Sequence, residues 1–199
     1  MIIETIVATL NADGSTRLSP MGPHVRDDWE QHPSGDPAMT LRPFAGSTTH
    51  ANLMRDRRAI VHLTDEAELF VRGVIGDWPS GDIEGRTTAI GVPGPRRLIR
   101  CRRWFAVEVV AVHGTEERPV LGCQVVASET GDPSSGLNRG VAAVVEAAIV
   151  YSRWHLLPAS ELDAAMERCR TAVEKTGSPE TIASMEMLSE AVRRRRAAT

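Results

Sequence analysis

Cysteine is scarce in this sequence of 199 residues. The three cysteines, Cys101, Cys123 and Cys169, form an odd and widely spaced set without a CxxC pair, which argues against a zinc site, a dithiol redox centre and a disulfide framework. We therefore expect three reduced thiols, as is usual in the cytoplasm. The six histidines show no HxH or HExxH spacing either, so the sequence predicts no metal site.

Long apolar runs are also lacking. The most apolar stretch, residues 140–150, contains Glu146 and falls short of the roughly 20 residues that a membrane-spanning helix needs. The first ten residues contain Glu4 and no basic residue, unlike a secretory signal peptide. We expect a cytoplasmic protein with no membrane association.

Lysine is almost absent, because Lys175 stands alone beside 22 arginines. The 23 basic and 26 acidic side chains give a formal net charge of −3, which argues against a protein that mainly coats nucleic acid. We interpret the arginine run at 193–196 as a solvated last helical turn that complements the helix dipole, with a weak nucleic-acid patch as the alternative. Any anion site must use arginine, hydroxyl groups and backbone N–H groups.

The remaining composition, 42% hydrophobic and 25% charged residues, excludes a disordered or fibrous chain. Residues 2 to about 130 have a strand-like pattern, in which the turn signal Asn11–Gly14 joins two strands as a hairpin. Strands are predicted at 2–10, 15–25, 39–44, 59–64, 104–113 and 119–128, a short helix at 48–55, a helix in preference to a strand at 65–75, and loops at 26–37 and 77–100. The strand at 104–113 is apolar on both faces, so it needs cover on both sides.

From Asn138 onward the apolar period changes to 3.6, which predicts three helices. Ser160 with Asp163 resembles a capping box, Gly177 suits the position just after a helix, and Ser178 followed by Pro179 suits a helix start. The predicted apolar stripes are Val141, Val144, Val145, Ala148 and Ile149; Leu162, Ala165, Met166, Cys169, Ala172 and Val173; and Ile182, Met185, Leu188 and Val192.

The stretch with most chemical information is 41–53, LRPFAGSTTHANL. It places Arg42, three consecutive hydroxyls and Asn52 between a strand and a helix, with Gly46 permitting close backbone approach to a ligand. A helix N-terminus with hydroxyls and an arginine is a ready site for an anion, particularly a phosphate. The alternative is that Ser47 is merely a helix cap and Asn52 a surface residue.

Taken with other segments, this stretch resembles a family of uncharacterised flavin-reductase-like, FMN-binding split-barrel proteins. The resemblance departs from the family at His50, where an aromatic residue such as tyrosine is expected, and at 77–100, which has no clear counterpart. The matching segments are 3–10, 11–14, 19–22 (SPMG), 41–53, 69–76, 137–139, Glu146 and 154–157 (WHLL), so they cover nearly the whole chain.

The resemblance implies an α+β protein with a split β-barrel at 1–132 and a three-helix appendage at 133–199, binding FMN as a homodimer. It implies that Arg42 reaches the phosphate or the flavin ring. His24 and His50 flank the implied site and could donate protons. The other implied roles are phosphate binding by Ser47, Thr48, Thr49 and Asn52, contact with the isoalloxazine by Pro20, Met21 and Gly22, and packing nearby by Phe44.

Three functions remain open at this stage. The first is an FMN-dependent oxidoreductase of unknown substrate, in which the flavin performs the redox chemistry and no side chain need act as a nucleophile. The second is a non-catalytic module that carries FMN or shuttles electrons. The third is an interaction protein whose barrel has lost the flavin. The sequence contains no GxSxG, P-loop or GxGxxG pattern that would indicate another enzyme class.

Overall fold

The fold was analysed in a computed structural model, which describes residues 1–29, 37–91, 94–133 and 136–198. The chain forms two compact units: one of residues 1–64 and 79–134, and one of residues 65–78 and 135–199. The second unit therefore takes in segment 65–78, which the sequence analysis assigns to the N-terminal domain. Most of the predicted loop at 26–37, with His32, lies outside the described residues.

The described residues of the first unit form nine strands and two helices, with a curled antiparallel sheet, in agreement with the α+β split-barrel prediction. Seven strands form the main sheet in the order β2-β1-β5-β8-β9-β4-β3, and β6 pairs with β7. The elements are β1 (Thr5–Leu10), β2 (Thr16–Met21), β3 (His24–Val25), β4 (Met39–Leu41), α1 (Thr48–Asp56), β5 (Arg58–Leu63), α3 (Asp82–Arg86), β6 (Thr87–Thr88), β7 (Arg97–Leu98), β8 (Arg103–Gly114) and β9 (Pro119–Thr130).

The β1–β2 hairpin confirms the predicted turn, because Gly14 adopts a φ of +84° and its N–H donates to the carbonyl of Asn11. Strands β2 and β3 follow one another across Gly22 and Pro23, yet β2 pairs with β1 while β3 pairs with β4. This bend brings the two ends of the seven-stranded sheet together. A Cβ at Gly22 would lie 2.7 Å from Cγ2 of Ile2, so a glycine permits the close approach.

The core of the first unit lies on the sheet face that α1 covers. Side chains from β1, β4, β5, β8 and β9 meet Leu53 of α1 there, and Trp29 stacks at 4.7 Å on Phe105. Each strand of the β8–β9 hairpin is largely buried in its first part and largely exposed in its last part, so only part of the predicted two-sided burial occurs. The exposed apolar side chains of this hairpin are Val110, Val112 and Val126.

The prediction of a loop over 77–100 is wrong in part, because this segment contains α3 and the β6–β7 pair. Buried His62 holds it to the sheet. The backbone N–H of Leu98 donates to Nε2 of His62 at 3.0 Å, which leaves the proton on Nδ1, and that group donates to the carbonyl of Ile6 at 2.9 Å. The glycine- and proline-rich composition gives no sign of this structure, because Leu98 is held by His62, which lies 36 residues earlier in the chain.

The second unit is helical: α2 (Ala67–Ile75), α4 (Arg139–Ser152), a 3₁₀ turn (Trp154–Leu156), α5 (Ala159–Thr176) and α6 (Pro179–Ala197). The predicted helix at 65–75 and the start at Ser178 are confirmed, since Oγ of Ser178 accepts the N–H of Thr181. The capping box at Ser160 is wrong, because α5 already begins after Pro158. Of the fifteen positions in the predicted stripes, eight are buried, six, including Met166, are half-buried, and Ile182 is exposed.

Gly177 ends α5 with a φ of −77°, so it does not need the left-handed conformation that the sequence suggested. Its small size serves a close contact instead. A Cβ at Gly140 would lie 2.8 Å from Cα of Gly177, and the side chain of Asn138 both caps α4 and donates to the carbonyl of Thr176. The N-terminus of α4 therefore packs directly on the α5–α6 connection.

The arginines at 193–196 are engaged in the structure rather than presented as a bare basic patch. Arg193 pairs with Glu190, Arg194 approaches Asp77, and Arg196 pairs with Asp163. Arg195 lies 5.3 Å from the ring centroid of Tyr151. No described helix is long and apolar enough to cross a membrane, and no group of three potential metal ligands occurs among the described residues.

The buried His62 predicts an acid-sensitive fold. Burial lowers the pKa of His62 from 6.5 to about 4. Below pH 6.5 the unfolded chain therefore binds a proton at His62, whereas the folded chain leaves His62 neutral. The free energy of unfolding consequently decreases as pH falls from 6.5 towards 4. Between pH 7 and 5 this group should remove about 2 kcal/mol from the free energy of unfolding.

Urea unfolding of the wild type and of His62→Gln at both pH values measures this contribution. The variant should show a clearly smaller pH-dependent loss of stability, whereas a control, His155→Gln at an exposed position, should behave like the wild type. Equal losses in all three proteins would show that His62 does not resist protonation in the fold.

Candidate functional site

The start of α1 is built by the sequence that follows β4. The chain turns at residues 44–47, where the N–H of Ser47 donates to the carbonyl of Phe44 at 3.1 Å and Gly46 adopts a φ of +75°. Ser47 is in an extended conformation and its Oγ accepts the N–H of His50 at 3.1 Å. The helix cap anticipated at Ser47 is therefore present, and α1 begins at Thr48.

Two of the predicted phosphate-binding side chains hold α1 to the sheet. Oγ1 of Thr49 is 2.9 Å from Oγ of Ser19 on β2. The Nδ2 amide of Asn52 donates to Oγ1 of Thr9 at 3.1 Å and to Oδ1 of Asn11 at 3.0 Å. Thr49 and Asn52 are both buried, so the interpretation of Asn52 as a surface residue is excluded.

Other predicted groups remain at the surface. The first-turn N–H groups of Thr48 and Thr49 precede any intrahelical acceptor, and Thr48 itself is exposed. Arg42 is also exposed and, within the part of the chain that the structure describes, forms no ion pair or hydrogen bond. Such donors beside the positive end of a helix dipole favour an anion.

The charge around Arg42 includes His24. Because His24 pairs with Thr40 across β3 and β4, and Arg42 comes two residues after Thr40, the side chains of His24 and Arg42 share one side of the sheet. Burial, Arg42 and the N-terminal amine together lower the pKa of His24. The direction of this shift reflects a locally positive environment as well as desolvation.

His50 lies in the first turn of α1. Its Nδ1 accepts the N–H of Gly46 at 3.3 Å, so in the neutral ring the proton is on Nε2. His50 also borders a groove of about 510 Å³ between α1 and the β8–β9 turn. The groove is lined by Met54, Val112, His113, Gly114, Thr115, Glu116 and Pro119 as well.

The residues predicted to contact or pack near the flavin ring, at positions 20–22 and 44, differ in their surroundings. Met21 packs partly buried against the core, and its carbonyl accepts the hydroxyl of Thr5 at 2.7 Å. Pro20 is half-buried, and Gly22 is explained by the approach of Ile2 described above. Phe44 is 80% exposed.

Sequence reasoning did not identify Thr9 and Ser19 as parts of this region. Each is a short polar side chain in a strand, a pattern that is common and carries no functional signal. Their importance depends on the docking of α1, which joins residues 43 and 30 positions apart, respectively.

Comparisons with known proteins identify the family. Residues 3–132 match the N-terminal domain of a protein family of unknown function, DUF447, and residues 138–190 match the model named for the same family. The chain belongs to the DUF447 family. These two matches span most of the sequence, and the resemblance to an uncharacterised flavin-reductase-like family is thereby confirmed.

Solved structures share the DUF447 fold. An FMN-bound protein from Methanosarcina mazei, described as a DUF447 member, is 19% identical, with a TM-score of 0.79 over 96% of this chain and 94% of that one. An FMN-binding protein from Thermus thermophilus with bound 1-cyclohex-2-enone is 14% identical, with a TM-score of 0.51 over 69% and 80% of the two chains. A putative flavin reductase from Haemophilus somnus is 15% identical, with a TM-score of 0.50 over 68% and 82%.

The contacts of Asn52 predict a structural role that can be separated from ligand binding. Replacing Asn52 by alanine leaves the buried oxygen of Thr9 without its donor and opens a small cavity, so Asn52→Ala should lower the free energy of unfolding by about 2–3 kcal/mol. The exposed neighbour Thr48 gives the matched control, and Thr48→Ala should change stability by no more than about 0.5 kcal/mol.

Chemical denaturation in the absence of flavin measures both effects. Equal stabilities of the two variants would show that Asn52 does not secure α1.

Proposed function

We propose that this DUF447 protein binds FMN at the start of α1 and works as an FMN-dependent oxidoreductase. The observation that carries the proposal is the set of donors without acceptors at that helix end, together with the exposed and unpaired Arg42 of the described chain. FMN carries a phosphate with close to two negative charges, which suits these donors. The FMN-bound family member with the same fold supports this choice of ligand.

The contacts divide the predicted phosphate residues into two groups. Arg42, Thr48, the hydroxyl proton of Ser47 and the first N–H groups of α1 are available to phosphate oxygens. The side-chain amide of Asn52 is occupied by Thr9 and Asn11, so it positions the helix rather than binding phosphate.

The flavin ring would lie against apolar groups near the same helix start. Pro20 and Met21 offer backbone and apolar surface, and exposed Phe44 offers an aromatic face. FMN, when bound, supplies hydride and electron transfer, so the protein's task is to position it and to exclude water. His50 would present its Nε2–H as a fixed donor beside the site.

A non-catalytic electron carrier is the second candidate. The groups around α1 described above suit binding and positioning, and none of them by itself selects a substrate. FMN-binding and flavin-reductase proteins both occur among the proteins of this fold.

A visible spectrum of the purified protein, followed by addition of NADH or NADPH, tests the proposal. Bound yellow flavin that is bleached by either nicotinamide is the expected result. Bound flavin that only dithionite reduces would favour the electron carrier. A colourless preparation that takes up no added FMN would contradict the proposed function.

The phosphate site predicts discrimination between FMN and riboflavin, which lacks the phosphate. Charge-assisted hydrogen bonds contribute roughly 1.5–3 kcal/mol each, so Arg42→Ala should weaken FMN binding about ten- to a hundredfold. Riboflavin binding should barely change if Arg42 contacts only phosphate. Ser47→Ala should have a smaller effect than Arg42→Ala, because water can partly replace a neutral hydroxyl.

Fluorescence titration of each variant with both flavins gives the measurement. If Arg42 lies against the isoalloxazine, both ligands should weaken together. Wild-type affinities for the two flavins that agree within error would exclude the phosphate site.

We further propose that the protein is a homodimer. Val110 and Val126 of the β8–β9 hairpin are 51% and 54% exposed, and they would be covered by a second copy. Light scattering should then give twice the chain mass of 21.6 kDa at micromolar concentration. Val110→Asp should shift the protein towards the monomer, and a monomeric wild type would contradict the proposal.

A further inference from the structure

Strand β2 carries polar groups beside α1 that the sequence analysis gave no role. Arg17 and Ser19 alternate with Leu18, so both side chains are on the sheet face that α1 covers. Ser19 contacts Thr49 at the start of α1, and Arg17 is directly opposite Thr9, to which Asn52 donates. The Arg17 side chain therefore starts beside α1, two residues along β2 from Ser19, which contacts Thr49 at the helix N-terminus.

The guanidinium of Arg17 has no partner among the residues that the structure describes. Its Nε is fully buried and has no hydrogen-bond acceptor, and the side chain makes no ion pair with any residue that the structure describes. Arg55 on α1 behaves differently, because its guanidinium binds the carboxylate of Asp56 and the carbonyl of Leu10. A buried N–H without an acceptor is rare, since burial removes the water that would otherwise bind it.

A second donor without an acceptor lies at the contact between Ser19 and Thr49. One hydroxyl of this pair donates to the other, which leaves one O–H proton over. Ser19 is 9% and Thr49 5% exposed, and no acceptor for that proton occurs in the described ranges of the chain. The adjacent first-turn N–H groups of α1 add further donors.

From these donors we infer that Arg17 is a second phosphate-binding residue, acting with the spare hydroxyl of the Ser19–Thr49 pair and the N-terminus of α1. The inference rests on the proposed function, in which FMN binds at this helix end. A phosphate group offers three acceptor oxygens and close to two negative charges. Arg17 and Arg42 together supply two positive charges, and Arg17 is therefore a determinant of the preference for FMN over riboflavin.

The test compares Arg17→Met, which keeps the length of the side chain but removes its charge, with Arg17→Lys, which keeps the charge but loses Nε. Arg58→Met is the matched control, because Arg58 is exposed and pairs with Glu108 on another strand. Each protein is titrated with FMN and with riboflavin at low and high salt.

Arg17→Met should weaken FMN about ten- to a hundredfold and riboflavin less than twofold, and the salt dependence of FMN binding should become shallower. Arg17→Lys should fall between this variant and the wild type, and Arg58→Met should match the wild type. Inorganic phosphate, added without flavin, should raise the melting temperature of the wild type more than that of Arg17→Met. This last measurement probes the phosphate site independently of the flavin ring.

Two results would overturn the inference. One is a wild-type preference for FMN that Arg42→Ala reduces but Arg17→Met leaves intact. The other is a loss of affinity for both flavins in Arg17→Met, with a lower melting temperature, since this would show that Arg17 only supports the fold. By contrast, a wild type that does not distinguish FMN from riboflavin would overturn the proposed phosphate site itself, and with it the role of Arg17.

Discussion

The docking of α1 on the β1–β2 hairpin is the interaction on which the candidate site depends. The hydroxyl of Thr49 bonds to that of Ser19, and the amide of Asn52 donates to Thr9 and Asn11. These bonds determine where the helix begins relative to the sheet. As a consequence, the N-terminal end of α1 presents its first N–H groups, Ser47 and Thr48 at the surface of the sheet. A polar contact in a protein interior becomes stronger when water is excluded, so this docking is both specific and sensitive to substitution.

The first unit uses its two sheet faces for different purposes. On the inner face, α1 and the apolar core support the helix N-terminus. On the opposite face, His62 connects Ile6 with Leu98 and organises a segment that is rich in glycine and proline. The role of His62 is structural: its ring is completely buried and both of its nitrogens are engaged. This explains why a histidine in the middle of the chain is not a ligand or a proton donor.

Much of the fold follows from local patterns. The hairpin at Gly14, the helix after Ser47 and the helices after Asn138 are predicted by turn residues, caps and apolar periods that act over a few positions. The β6–β7 region was missed because distant contacts hold it in place, including the hydrogen bonds from Leu98 to His62 and from Arg96 to Thr16, and such contacts have no local signature. The hydroxyl and arginine residues near Arg42 could be recognised from the sequence because they lie next to one another in the chain. Arg17 and Ser19 could not, because only the register of β2 with β1 brings them to α1.

The contact between Gly140 and Gly177 has a consequence for how this family can vary. Neither position has room for a side chain, because a Cβ at Gly140 would lie 2.8 Å from Cα of Gly177 and a Cβ at Gly177 would lie 2.7 Å from the carbonyl oxygen of Val173. Asn138 spans the same junction through its bond to Thr176. A larger residue at Gly140 would push the start of α4 away from Gly177, and one at Gly177 would collide with the end of α5 at Val173. Across DUF447 sequences, these two positions should therefore remain glycine together, even where the surrounding helices diverge.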